Sequence, residues 1–244
     1  MSQPATTEDR FLGGSVILRQ PTNGFRAGMD SILLAAAVTA GPGARLLEIG
    51  CGAGAALLAV ATLNPHIECV GVEAHEEGAA LAKTNVALNA LEDRVTILHA
   101  DPLADPSLDL GPSFDGAFCN PPFNAKGRTP DPERAHAHLT PHTVQAWVNA
   151  FANRLKGGAP LVMIHRAEAL HDVLTACQGR LGGVQVRPIQ PFADQPAHRI
   201  LVRATKGSRA ALRLLPALVL HEAHAKHTHQ ADAILRGAAG LSWL

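Results

Sequence analysis

Asn120-Pro121-Pro122-Phe123 places an amide, two rigid imino acids and an aromatic ring in four consecutive positions. The Asn side-chain oxygen accepts a hydrogen bond, and the carbonyls beside the prolines stay free of a ladder because neither ring nitrogen can donate. Pro121 also pushes Asn120 toward extended backbone, which makes the group a stiff hook. Such a hook can hold a planar amine, with Phe123 stacking on its flat face. Asn-Pro and Pro-Pro are also common turn punctuation, so on its own the tetrapeptide reads equally as a strand-ending turn.

Upstream residues give the hook neighbours. Gly50-Cys-Gly-Ala-Gly54 passes from an apolar run into the helix-like stretch 55–63. Glycines there let backbone approach a ligand closely, and a helix start offers unpaired amides. Gly50, Gly52 and Ala55 also satisfy the relaxed dinucleotide fingerprint, so the glycines alone are ambiguous. Glu73 stands about twenty residues further on, where a carboxylate can accept from both ribose hydroxyls of an adenosine cofactor or supply negative charge to the following helix start. Asp101 is placed to accept from an adenine amine. Arg26 and Asp30, in a glycine-punctuated loop before a helix start, form a candidate lid that could meet a zwitterionic ligand.

The elements that must position these groups alternate between strand and helix. Runs at 45–50, 67–73, 95–99 and 114–119 read as short buried strands, separated by helical stretches at 55–63 and about 75–89. A short strand at 14–18 and a helix at 31–39 precede them, and residues 1–10 read as a frayed polar end. Helix 142–155, strand 161–165, a helix to about Cys177 and strands 184–189 and 199–204 follow. In a crossover topology the four strand ends with the glycines, Glu73, Asp101 and the hook share one edge of the sheet. The fold class is therefore α/β, a Rossmann-like mixed sheet of about seven strands with helices on both faces, closed by an antiparallel last pair.

Composition narrows the class further. The 244 residues are 47% hydrophobic and 17% charged, with 21 Lys+Arg against 21 Asp+Glu. That suits one compact enzyme-sized domain, with no global charge announcing nucleic acid or membrane. We expect residues 1–40 to form an N-terminal lid of strand, loop and helix, and residues 41–244 the main domain, with 195–244 as its basic C-terminal segment. The four cysteines form no CxxC pair, no signal sequence opens the chain and no run spans a bilayer, so a cytoplasmic location without an obligate protein partner is expected.

Basic residues gather locally. His198, Arg199, Arg203, Lys206, Arg209 and Arg213 fall in a stretch from 195 to 220 that holds no acid, and Arg128 and Arg134 lie in the polar segment 124–140. Clustered cations can bind a nucleic-acid backbone, and a solvated strand face is the alternative reading. His221, His224, His227 and His229 invite a metal, and spacing of three fits one helical face. No Cys or carboxylate cluster with ligand geometry accompanies them, so no metal site is assigned.

With the glycine turn and hook both placed, the sequence resembles the class I S-adenosylmethionine-dependent methyltransferases. The residues carrying this are Leu46-Leu-Glu-Ile-Gly-Cys-Gly-Ala-Gly54, Glu73, Asp101 and Asn120-Pro-Pro-Phe123. Within that superfamily it resembles bacterial tRNA adenine-N6 methyltransferases that modify the adenosine 3′ of the anticodon in valine tRNA, a likeness extending through 24–34 and 196–208. The resemblance implies that Gly50, Gly52 and Gly54 line the methionine and ribose part of S-adenosylmethionine, and Glu48, Arg26 and Asp30 are expected with them among the cofactor-binding residues. It further implies that Glu73 holds the ribose and Asp101 the adenine. Asn120, Pro121, Pro122 and Phe123 would grip and stack the target amine, and the basic residues named above would meet tRNA. These enzymes more often have Tyr at the position of Phe123, and the His-rich tail is unusual for them. Glutamine-N5 methyltransferases of release factors share the hook, but usually carry an N-terminal helical domain for which too few residues precede Arg45. A non-catalytic cofactor and RNA-binding module and a nicotinamide dehydrogenase are the other readings, and the intact hook speaks against both.

Overall fold

The computed structural model describes residues 6–23, 26–122 and 142–243. In chain order the elements are β1 (Thr6–Phe11), β2 (Val16–Pro21), α1 (Met29–Ala37), β3 (Arg45–Ile49), α2 (Ala55–Leu63), β4 (Glu68–Glu73), α3 (Glu76–Leu88), β5 (Val95–His99) and β6 (Gly116–Cys119). After the undescribed segment come α4 (Val144–Arg154), β7 (Pro160–Arg166), α5 (Leu170–Cys177), β8 (Leu181–Gln190), β9 (Arg199–Lys206), β10 (Arg213–Leu214), β11 (Leu218–Val219) and α6 (His229–Leu235).

A nine-stranded sheet runs β10-β8-β9-β7-β6-β3-β4-β5, with β11 also paired to β8. Only β9 opposes the others, antiparallel to both β7 and β8. The expected seven strands and antiparallel closure are present, and β10 and β11 extend the sheet by two-residue pairings with β8. Their shortness hides them from any periodicity, which needs four or more residues to show.

Alternation along each strand divides two cores. Leu46, Cys69 and Phe118 face one layer with α1, α2 and α3, while Leu47, Val70, Ala117 and Cys119 face the other with α4 and α5. Helix α2 is apolar all round because its neighbours cover it, and Ala55 through Ala61 are buried. The C-terminal tail returns to cap α1, where the Leu241 amide and the Trp243 indole donate to the carbonyls of Ala36 and Ala37, each at 2.7 Å. Those carbonyls end a helix and would otherwise lack partners.

The N-terminal residues correct the sequence reading. Thr6–Phe11 is a strand paired antiparallel with β2 rather than a frayed end. The hairpin is clamped to α3 by two side chains acting as a false strand. Asn85 exchanges hydrogen bonds with the backbone of Arg19 (2.8 and 2.9 Å), and Asn89 with that of Ile17 (2.8 and 2.7 Å).

Candidate active site

Chain order creates the crevice. From β3 the chain moves outward through β4 and β5, then returns to the opposite side of β3 as β6. Ligands of open α/β sheets bind beyond the carboxyl ends of the strands at such a reversal. Glu48 of β3 pairs with Phe118 of β6, so Gly50 and Asn120 both lie two residues beyond the same register position. The glycine turn and the hook thus face each other across the switch point.

The turn is held by its neighbours. Gly50, Gly52 and Gly54 have φ of 72°, 54° and 88°, the left-handed region where a side chain is strained. The amides of Gly50 and Cys51 both donate to the Val72 carbonyl. A Cβ on Gly50 would come within 2.7 Å of the Trp147 ring, so α4 backs the turn directly. Gly54 then forms the N-cap of α2.

Two carboxylates flank the turn. Glu73, 6% exposed, accepts from the amide of Gly52 (2.8 Å, Oε2) and that of His75 (2.9 Å, Oε1). Gly78 makes room for it, since a Cβ there would meet the Glu73 Cγ at 3.0 Å. Each oxygen retains acceptor capacity beyond its one amide. Glu48 sits beneath the turn, 3% exposed, with one buried oxygen lacking a hydrogen-bond partner among the described residues. Burial, reinforced by Glu73, raises its carboxyl well above the ordinary range, against the lowering influence of the Leu57 amide at the start of α2. Glu48 is thus a buried carboxyl beside the turn, close to Glu73 and the start of α2.

Asp101 lies just past β5, half-buried, with Oδ1 accepting from the amides of Leu103 (3.0 Å) and Ala104 (3.1 Å). That leaves Oδ2 as its available acceptor among the described residues. At the hook, Pro121 is buried and Pro122 exposed. The Asn120 Oδ1 is buried and has no hydrogen-bond partner among the described residues. A buried amide oxygen without a donor is unfavourable by about 1–3 kcal/mol, so this atom is set to receive one. Phe123, Arg128 and Arg134 lie outside the described residues.

Several expected site residues have other partners. The Arg26 guanidinium turns back into the hairpin, bonding Thr7 Oγ1 (2.6 Å), the Pro21 carbonyl (2.9 Å) and Asp9. Asp30 pairs with Arg199 at 2.9 Å, joining α1 to β9. The single basic patch is not formed. Because β9 runs against β7, Arg199 stands level with Arg166 at the carboxyl edge, whereas Lys206 reaches the opposite end, donating to the Leu155 carbonyl at 2.6 Å. His198 and Arg199 thus border the crevice, and Lys206, Arg209 and Arg213 do not; the strand separates the two groups by roughly 23 Å.

Sequence reasoning missed Trp147, Gly78, Asn85 and Asn89. A glycine in the first turn of a helix, five residues after Glu73, was the available sign for Gly78, because a helical glycine is unfavourable unless something packs on it. The asparagines gave no local sign, since their partners lie 66 and 72 residues away.

The elements that carry this crevice coincide with a known family. Residues 27–182, more than half of the chain, match the family model for the methyltransferase small domain, and the chain belongs to that family. It is 27% identical over 192 residues to a tRNA1(Val) (adenine(37)-N6)-methyltransferase of Vibrio cholerae, covering 75% of this chain and 77% of that protein. A release factor glutamine methyltransferase of Caulobacter vibrioides is 36% identical over 78 residues, 32% of this chain and 26% of that one. The crystal structure of a predicted O-methyltransferase from Agrobacterium tumefaciens superposes with a TM-score of 0.73 at 28% identity, covering 87% of this chain and 98% of that one. The chain is a class I methyltransferase whose cofactor is S-adenosylmethionine. The crevice fits that cofactor: positive-φ glycines, the anchored Glu73 carboxylate and the half-used Asp101 supply close backbone and acceptors for a ribose and an adenine.

Proposed function

We propose that this methyltransferase acts on the exocyclic N6 amine of an adenosine in tRNA, next to the anticodon. The observation that carries the reading is the buried Oδ1 of Asn120 at the switch point, which has no hydrogen-bond partner among the described residues. A buried acceptor calls for a donor, and an amine is the donor that also receives a methyl group. The likeness to the Vibrio cholerae enzyme over three quarters of both chains supports adenine as its bearer.

S-adenosylmethionine supplies an electrophilic methyl on a sulfonium. Glu73 and Asp101 hold the ribose and adenine, and the glycine turn admits the remainder. An adenine amine is a weak nucleophile because its lone pair is delocalised into the ring. Asn120 Oδ1 and the Pro121 carbonyl accept its two N–H groups, favouring a pyramidal nitrogen whose lone pair points away from them. Orientation is the main contribution, and misplacement of about 1 Å can lower the rate roughly hundredfold. No strong base is required beforehand, since the amine proton becomes acidic only as the new bond forms. The stiffness of the two prolines keeps both acceptors fixed, and Phe123 stacks on a base splayed from its loop, as single-strand RNA readers do.

The test supplies radiolabelled S-adenosylmethionine with tRNA, rRNA and release factor in separate reactions, followed by nucleoside analysis. Label in tRNA as N6-methyladenosine is expected. Label only in the release factor would establish the glutamine reading, which the Caulobacter vibrioides match favours over the shared segment. Asn120→Ala should lose about hundredfold or more in transfer while binding the cofactor normally; near-normal transfer would remove Asn120 from its role.

A further inference from the structure

Beyond β8 the chain assembles three rings that the crevice does not use. The Phe192 and His221 centroids are 5.5 Å apart, tilted at 47°, and His221 and His227 are 5.1 Å apart at 30°. Backbone pairing builds this arrangement. Strand β11 lies parallel to the end of β8, and the His221 amide donates to the Pro191 carbonyl at 2.8 Å, setting the imidazole beside Phe192. Thr228 closes the following loop through its amide to the Leu220 carbonyl (2.9 Å) and its hydroxyl to that of Val219 (2.8 Å). The loop thereby returns His227 onto His221, whose Nδ1 meets the Lys226 carbonyl. Among the described residues no group of three or more side chains is arranged to hold a metal, so ring contact is what the His-rich tail provides here.

The ring cluster is exposed at Phe192 and stands at the carboxyl edge of the sheet. Phe192 is 37% exposed, one of three large apolar side chains so exposed among the described residues. Arg199 is level with Ile189 on one side and Arg166 on the other, so the end of β8, the start of β9 and the end of β7 share the carboxyl edge with Asn120. In the order β8-β9-β7-β6 the end of β8 lies three strand spacings, about 14 Å, to the side of β6, a lateral span that a short splayed stretch of nucleotides covers. His198 is exposed and Arg199 half-buried between the two.

We infer that Phe192, with His221 and His227 behind it, is a stacking platform for an unpaired RNA base flanking the methylated nucleotide. The inference rests on the RNA reading above. An exposed aromatic face backed by two imidazoles suits a flat base, and such stacking tolerates any base because each has a π-face. Asp194 and Glu222 follow Phe192 and His221 closely in sequence, so the rings contribute stacking, with exposed His198 and the Asp30-paired Arg199 lying along the path to the hook.

The experiment titrates the full chain with an end-labelled RNA stem-loop carrying unpaired adenosines, read by fluorescence anisotropy, alongside cofactor titration and thermal melting. Phe192→Ala and His221→Ala should each weaken RNA binding roughly tenfold, with cofactor affinity unchanged. Phe192→Trp should retain wild-type affinity. RNA binding by Phe192→Ala equal to wild type would overturn the platform and leave the RNA reading standing. If Phe192→Ala lowers melting, Phe192→Trp decides, since failure of a restored ring to restore binding also overturns it. A wild-type chain that binds no RNA yet labels release factor would refute the substrate reading and the platform together.

Discussion

Gly50→Ala probes how firmly the glycine turn is built onto α4. At φ 72° an added side chain is unfavourable by about 1–2 kcal/mol. Its Cβ would lie 2.7 Å from Cη2 and 3.2 Å from Cζ3 of Trp147, inside the roughly 3.5–4.0 Å carbon contact optimum. The indole is 6% exposed and packs on Phe151 at 6.4 Å, so it has little space to retreat, and overpacking adds about 1–3 kcal/mol. The single substitution should therefore lower stability by about 2–5 kcal/mol, combining the backbone and packing contributions. In a Trp147→Phe background the shorter ring vacates the contact, and Gly50→Ala should then lower stability by only the backbone part, about 1–2 kcal/mol. Urea unfolding of all four chains measures this coupling directly, read as midpoint shifts at constant slope. Cofactor affinity should fall in Gly50→Ala and recover partly in the double variant. Strict additivity of the two substitutions would refute the claim that the Trp147 ring sets the shape of the turn.

Two further outcomes follow from buried polar groups. Asn85→Ala removes the partner of the Arg19 amide and carbonyl and of the Ala53 carbonyl, and should lower stability by about 2–4 kcal/mol while speeding hydrogen exchange at Arg19; unchanged exchange there would show that the hairpin is held by something else. Burial and nearby Glu73 raise the Glu48 carboxyl, so the folded chain keeps a proton that the unfolded chain releases near about pH 4.3; this contribution is fully present below that pH and is lost, by about 1.4 kcal/mol per unit, as pH rises through the folded-state value. Glu48→Gln should remove one proton's worth of slope from the pH dependence of the urea midpoint, and an unaltered slope would place Glu48 elsewhere.

Much of the nucleotide-binding half was legible because its signals are local. Short apolar strands, a glycine turn leading straight into an apolar helix and acids at strand ends each announce themselves within a few residues. The hook was legible for the same reason, since Asn120 through Pro122 restrict their own backbone. What stayed hidden depends on distant partners. The strand Thr6–Phe11 is exposed at most positions and shows no apolar alternation; it forms because β2 pairs with it and because α3, some distance along the chain, presents two asparagines to β2. Trp147 reads in sequence as one core residue of an amphipathic helix, and only the stacking of α4 against the end of β3 makes it the floor of the turn.

The direction of one strand decides which basic residues stand at the carboxyl edge. In sequence, His198 to Arg213 is a continuous basic stretch, and linear proximity suggested one surface. Strand β9 is the single reversed strand of the sheet, so it enters at the carboxyl edge and leaves at the opposite one, carrying His198 and Arg199 to the crevice and Lys206 onward away from it. On the proposed RNA reading, a nucleic acid held at Asn120 would meet the start of β9 first, and beside that start stands the exposed Phe192 at the end of β8. Arg199, fixed by Asp30 of α1, ties this edge to the helix that follows the N-terminal hairpin. The same antiparallel insertion that closes the sheet therefore decides which cations stand at the carboxyl edge, and leaves Lys206 holding the Leu155 carbonyl at the far end.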